Sequence, residues 1–234
     1  MSAFCVSMRQ IKFEAGQYYH IYNRGVDKRR IFENDGDYRR FMNNLAKFNS
    51  VMTKTEREAL GGRRPPSATP LGRRPPSATP LGRRPPSALP LVKILAFCLL
   101  PNHFHLLVQQ VSDRGISRYL HRIQMGYTHY FNGIHDRSGI LFQGKFKAKP
   151  ITSHQQLIWL SAYIHGNPDV HGICKAQDWK WSSYQAYLKH DKWGIEIDHP
   201  IFSSFENPGD YGDFVCEASQ QSRYKKIMYK IELE

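Results

Sequence analysis

Apolar and polar positions along the chain change rhythm in a way that separates strands from helices. GQYYHIYNRG, Gly16 to Gly25, is an aromatic and β-branched run bounded by glycines and predicts a first strand. DYRRFMNNLAKF follows with Phe41, Leu45 and Phe48 on one stripe, the spacing of an amphipathic helix. VKILAFCLL is nearly continuous apolar sequence; Pro101-Asn102 interrupts it and HFHLLVQQ resumes, which predicts two strands joined by a tight turn. In ISRYLHRIQMGYTHYFNGI, Ile116, Leu120, Ile123, Tyr127, Tyr130 and Ile134 recur at helical spacing. GKFKAKPIT reads as a short strand. SHQQLIWLSAYIHGNP opens on a Ser153/Gln156 capping box and is expected to end before Pro168. A further helix is expected from Asp169 to His190, then an irregular C-terminal segment. The order strand, helix, strand, strand, helix, strand is a split βαβ arrangement: an α+β fold with an antiparallel sheet and helices on one face.

One segment breaks this pattern. GGRRPPSATP LGRRPPSATP LGRRPPSALP, Gly61 to Pro90, repeats a ten-residue unit three times. Paired prolines at that period form neither helix nor ladder, and the unit has little to bury, so an extended or disordered surface insert is expected. Long surface loops add little closure entropy, which makes such an insert tolerable. Its six arginines matter for the charge: without them the net +13 of the chain becomes +7. The remainder is still basic, and a basic surplus favours a polyanionic partner such as nucleic acid. Cys5, Cys98, Cys174 and Cys216 are scattered and form no C-x-x-C pair, unlike a disulfide frame or thiolate zinc site. No run approaches membrane-spanning length and the N-terminus lacks a signal-peptide core, so a soluble, cytoplasmic chain with no membrane partner is expected.

The chemistry centres on His103 and His105. Residues two apart on a strand share a face, about 6–7 Å apart at the Cα level, so the two imidazoles can converge on one cation. The same pair can also merely pack or hydrogen-bond within a half-buried strand. On the capped helix, Tyr163 and Asn167 are four apart and share a face, which brings a phenol and an amide oxygen together. Tyr163 alone reads as a core aromatic beside Leu160 and Ile164. His165 and His171 are rival ligands by type, and Tyr127 and Tyr130 rival nucleophiles by type, although helical spacing assigns those tyrosines to packing. Lys145, Lys147 and Lys149 alternate along the predicted strand. With Arg24, Lys28, Arg29 and Arg30 after the first strand, they form a candidate track for a phosphate backbone.

LLPNHFHLLV resembles the His-hydrophobic-His motif of single-strand DNA nucleases and transposases, and AYIHGNPDVHGIC resembles the tyrosine helix of the REP-associated tyrosine transposases. HIYNRGVDKRRIF, RSGILFQGKFKAKPI and DWKWSSYQAYL look like the same group in the expected order, from Gly16 to about Leu188 without the repeat. The resemblance implies a ferredoxin-like sheet with the catalytic tyrosine on a following helix. It implies residues 1–195 as a single-tyrosine transposase domain interrupted by the insert at 50–91, with 196–234 a C-terminal extension. It also implies that His103, His105 and Asn167 hold a divalent ion, Mg²⁺ or Mn²⁺, and that Tyr163 is the nucleophile. The substrate it implies is single-stranded DNA bearing hairpins, cleaved and rejoined through a 5′-phosphotyrosine, with the protein acting as a monomer. Imidazole nitrogen favours manganese within that pair. Two other classes remain in view. One is a non-catalytic single-stranded nucleic-acid-binding module, with Phe97 and Phe104 as exposed stacking platforms. The other is a metal-dependent phosphodiesterase that uses water, with Tyr163 structural.

Overall fold

The structure, a computed structural model, describes residues 11–49, 89–188 and 200–231. Four antiparallel strands, β1 (Tyr18–Arg24), β2 (Val92–Leu100), β3 (His103–Gln110) and β4 (Lys147–Ile151), form one sheet in the order β2-β3-β1-β4. With α1 (Asp35–Lys47) and α2 (Gly115–Ile134) as the crossovers, this is the split βαβ connectivity expected from the residue pattern. The β2-β3 hairpin turns on Pro101-Asn102 as predicted, and Pro101 O receives the amides of Ile31 and Phe32, which anchors its tip to the loop after β1. The repeat lies outside the described residues apart from Leu89 and Pro90.

Both faces of the sheet are covered. On one, α1 and α2 bury Phe41, Leu45, Ile116, Leu120, Ile123 and Tyr127 against Tyr19, Ile21, Phe104, Leu106 and Val108. On the other lies α3 (His154–Val170), which closes a second core of Leu107, Leu157, Ala162 and Ile164. Two-sided burial explains why β2 is apolar throughout rather than alternating. A bulge at Leu95 re-phases the strand, so that Val92 and Ile94, then Phe97 and Leu99, face the first core. Phe97 and Phe104 are 1% and 0% exposed. The stacking platform required by a non-catalytic single-strand binder is therefore inside the core.

Several expectations are corrected. Helix α3 runs through Pro168 to Val170 instead of stopping before it. Proline in the last turn removes a single bond, and the end is closed by His171 N to Asn167 O, Gly172 N to Asp169 O and Ile173 N to Pro168 O. Ser153 caps Gln156 N, but the Gln156 side chain returns to Thr152 rather than to Ser153, so the capping box is displaced by one residue. No helix spans Asp169 to His190. Gly172, at φ +68°, ends the turn, and the chain continues as a 3₁₀ turn (Ala176–Asp178) and the short α4 (Tyr184–Tyr187). This stretch covers the open edge of β2 through Leu99 N to Trp181 O, Ser183 N to Phe97 O and Trp179 Nε1 to Leu99 O. The C-terminal segment is a helix, α5 (Pro208–Ile231), packed on α3. Gly166 permits that approach, since a Cβ there would lie 2.1 Å from Ser219 Oγ. Among the described residues no helix is long and apolar enough to cross a membrane.

Candidate active site

The site grows from the alternation of β1 and β3. Phe104, Leu106 and Val108 turn to the α1/α2 core, so His103, His105 and Leu107 turn to α3. The register sets Tyr22 opposite His105, Arg24 opposite His103, and His20 opposite both Leu107 and Lys149. Tyr163 meets this row from above: its ring is 5.8 Å from that of His105 and 6.5 Å from that of His20, edge-on in both cases. Eight residues along the helix, the His171 ring lies 5.1 Å from that of His103. Asn167 is one turn after Tyr163 and one turn before His171, so these two contacts bracket it. The histidine pair, Tyr163 and Asn167, remote in sequence, are thus gathered at one place.

α3 is held rigidly over the row. His165, on its far side, bonds Tyr211 Oη and Ser183 Oγ at 2.7 Å each, tying the helix to α5 and to the β2 edge cover. It faces away from His103 and His105 and takes no part in their cluster. Tyr127 is also removed from it: fully buried on the opposite face, it donates to Ile31 O. Tyr130 sits on that same face beneath Arg40.

Donor chemistry shows whether these side chains suit a divalent ion. Asn102 Nδ2 donates to Lys28 O at 3.2 Å, so its Oδ1 is the acceptor for His103 Nδ1 at 2.6 Å. The His103 proton is then on Nδ1, which makes Nε2 the ring's acceptor nitrogen. The loop that supplies this carbonyl is in the left-handed region at Asp27 and Lys28, with φ 54° and 58°. Asn167 is fully buried; its Nδ2 donates to Tyr163 O at 2.8 Å, while its Oδ1 has no hydrogen-bond partner. The other side-chain atoms in that condition among the described residues, Asn44 Nδ2 and Gln124 Nε2, belong to α1 and α2 on the opposite face. A buried acceptor left unsatisfied on the helix that covers the histidine row fits a cation ligand. Among the described residues no three His, Cys, Asp or Glu side chains form a group that could hold a metal ion. Asn167→Ala should therefore keep the unfolding free energy within about 1 kcal/mol of wild type, because the substitution also deletes the orphaned acceptor. Its buried neighbour Ile164, cut to Ala, should cost about 2–5 kcal/mol in the same denaturant titration.

Burial dominates the electrostatics. It lowers the His105 pKa well below the ordinary value, helped by His20, His103 and His171, and it lowers His20 to about 4, with Lys149 adding. Burial also raises the Tyr163 phenol, an effect that the Asn167 amide partly offsets. For His20 the sign is definite. Between pH 6.5 and about 4 the unfolded chain binds a proton that the folded chain refuses. The stabilisation is complete above 6.5 and is lost as pH falls through that window. With Tyr22, His105, Tyr163 and Lys149 around the ring and no carboxylate among them, a denaturant titration at pH 4 should show on the order of 3 kcal/mol less stability than at pH 7 from this group.

Two depressions flank the histidines. A cleft of about 520 Å³ is lined by His20, Tyr22, His105, Lys149, Trp159 and Tyr163, among others. On the other side Lys28, Arg30, Asn102, His103 and His171 line a shallower one. Arg24, Lys28, Arg29, Arg30, Lys145, Lys147 and Lys149 are all exposed, and Arg24 bonds Gln143. Lys147 and Lys149 lie on β4, on the face of the histidine row. Lys145 does not share that strand, because a bend at Gly144 (φ +68°) delays its start to Lys147. His20 and Tyr22 were not singled out by sequence reasoning. His20 Nε2 lies 2.9 Å from His105 Nδ1, and Tyr22 is a second phenol on the cleft wall, 5.8 Å ring to ring from His105. Their signal was the alternation Tyr18-His20-Tyr22, three polar-tipped rings on one strand face.

Residues 91–167, from the start of the hairpin to Asn167, match the family model described as "Transposase IS200 like". A solved structure of a REP-associated tyrosine transposase bound to a REP hairpin shares the fold at a TM-score of 0.52 and 17% identity, covering 86% of this chain and 98% of that one. No curated protein sequence matches.

Proposed function

As a chain that carries the IS200-like transposase segment on the fold of a REP-associated tyrosine transposase, this protein, we propose, cleaves and rejoins single-stranded, hairpin-bearing DNA through Tyr163. The observation that carries the reading is the placement of the Tyr163 phenol edge-on to His105, in a cleft that Lys149 also lines, one helical turn before the orphaned Asn167 oxygen. His103 and His105 through their imidazoles and Asn167 through Oδ1 would hold Mg²⁺ or Mn²⁺. Such an ion, when bound, polarises the scissile phosphate and offsets its developing charge.

The chain's own residues do the rest. Tyr163 Oη gives up its proton and attacks phosphorus in line. The P–O3′ bond breaks, the 3′ oxygen takes a proton and leaves as a hydroxyl, and the 5′-phosphate stays on the tyrosine. A second strand's 3′-hydroxyl then attacks that phosphorus, the P–O(Tyr) bond breaks, and Tyr163 is regenerated. The bond count is conserved at each step, so rejoining needs no external energy source. Lys149 and Lys147 on one side, and Arg24, Lys28, Arg29 and Arg30 on the other, would carry the phosphates flanking the reaction. Lys145 sits at the approach to β4. Action as a monomer is part of the same proposal.

Incubation with end-labelled hairpin oligonucleotides and Mn²⁺ tests the proposal. A denaturation-resistant protein–DNA band carrying the strand 3′ of the break supports it. Cleavage without a band favours a water-using phosphodiesterase. Lys147→Glu with Lys149→Glu should weaken binding of the same oligonucleotides and flatten the salt dependence, with log K against log salt losing roughly 1.4 of slope for two phosphates.

A further inference from the structure

His20 stands outside the proposed metal-holding set, yet one nitrogen of His105 is committed to it. The inference rests on His103, His105 and Asn167 being that set. On the sheet, His20 is the diagonal neighbour of His105, since Tyr22 is the residue directly opposite. Their rings are nearly coplanar, 20° apart, with His20 Nε2 and His105 Nδ1 at 2.9 Å, the arrangement of an in-plane hydrogen bond. Between two uncharged imidazoles one proton occupies that line. If His105 Nδ1 carries it, His105 Nε2 has a free lone pair. If His20 Nε2 carries it, the remaining His105 proton must be on Nε2, and the ring has no nitrogen left to offer a cation.

We infer that His20 is a positioning residue for His105: by accepting the Nδ1 proton it fixes the tautomer whose Nε2 can hold a divalent ion. His103 has a counterpart in Asn102, but the two supports differ in kind. The Asn102 amide is pinned by the Lys28 carbonyl and can only accept, whereas an imidazole can take either role. The direction of the His20–His105 bond therefore determines whether the site is competent, and it does so from a residue outside the set that would hold the ion.

The test reads tautomer and metal affinity, not turnover. In the metal-free wild type, histidine ¹⁵N NMR should find the His105 proton on Nδ1. Free Mn²⁺ counted by electron paramagnetic resonance should show about 10–100-fold weaker binding in His20→Leu, which has no acceptor. In His20→Gln, whose amide oxygen can accept the same proton, most of that loss should be recovered. Circular dichroism establishes folding, and if His20→Leu does not fold, the wild-type tautomer decides. A His105 proton on Nε2, undiminished Mn²⁺ affinity in folded His20→Leu, or equal losses in both folded variants overturns the inference. His105→Ala separates the two levels. If it binds Mn²⁺ as well as wild type does, or if wild type binds none, the metal-holding set is wrong and the role of His20 falls with it. If His105→Ala loses the ion and His20→Leu keeps it, only the role of His20 fails.

Discussion

Tyr163→Phe should form no covalent adduct with hairpin-bearing single-stranded DNA, while still binding it. The substitution removes one oxygen from a half-buried ring whose packing against His105 and His20 is made by its edges and carbons. Fold and cleft are preserved, and with them the lysines proposed to carry the phosphates, so affinity in a filter or anisotropy assay should stay near wild type. Adduct formation should drop to background, because no other group replaces a nucleophile lost from a covalent step. The structure also names the proper control. Tyr22 is the other phenol on that wall, at the same 5.8 Å from the His105 ring. Tyr22→Phe should keep the adduct. An adduct that survives in Tyr163→Phe and disappears in Tyr22→Phe would move the chemistry one strand away.

His103→Ala and His105→Ala should each weaken Mn²⁺ binding by more than about 100-fold, a larger loss than is typical for an outer support, and each should abolish the adduct. Their structural costs should differ. His103 is half-buried beside an open depression, and its loss should change unfolding free energy by roughly 0.5 kcal/mol. His105 is 6% exposed and is the hydrogen-bond partner of buried His20, so its removal should cost about 1–3 kcal/mol. Equal loss of metal with unequal loss of stability is the signature of two ligands that hold one ion. A packing role would make metal affinity and stability fall together.

The parts of this site that were legible in the sequence are those set by local periodicity. The Pro101-Asn102 turn and the two-residue spacing of His103 and His105 fix their shared face before any tertiary contact is known. Four-residue spacing does the same for Tyr163 and Asn167. The split βαβ connectivity followed from element order, and the two crossover helices share one face of the sheet. What could not be read depends on register and on small residues. His20 meets His105 only because β1 pairs with β3 in the register that puts Tyr22 opposite His105, a fact carried by no local pattern. Helix α5 docks on α3 through Ala218, Ser219 and Gly166, close-packing residues that give little hydrophobic signal. Pro168 suggested a boundary at Asn167, yet at the last turn it removes one hydrogen bond and lets the helix carry His171 to the side of His103.

The most direct measurement of the central claim is mass spectrometry of the adduct after protease and nuclease digestion. A 5′-phosphorylated nucleotide joined to the peptide that contains Tyr163 is the predicted result. A nucleotide joined to any other residue, or cleaved DNA with every peptide unmodified, would contradict it.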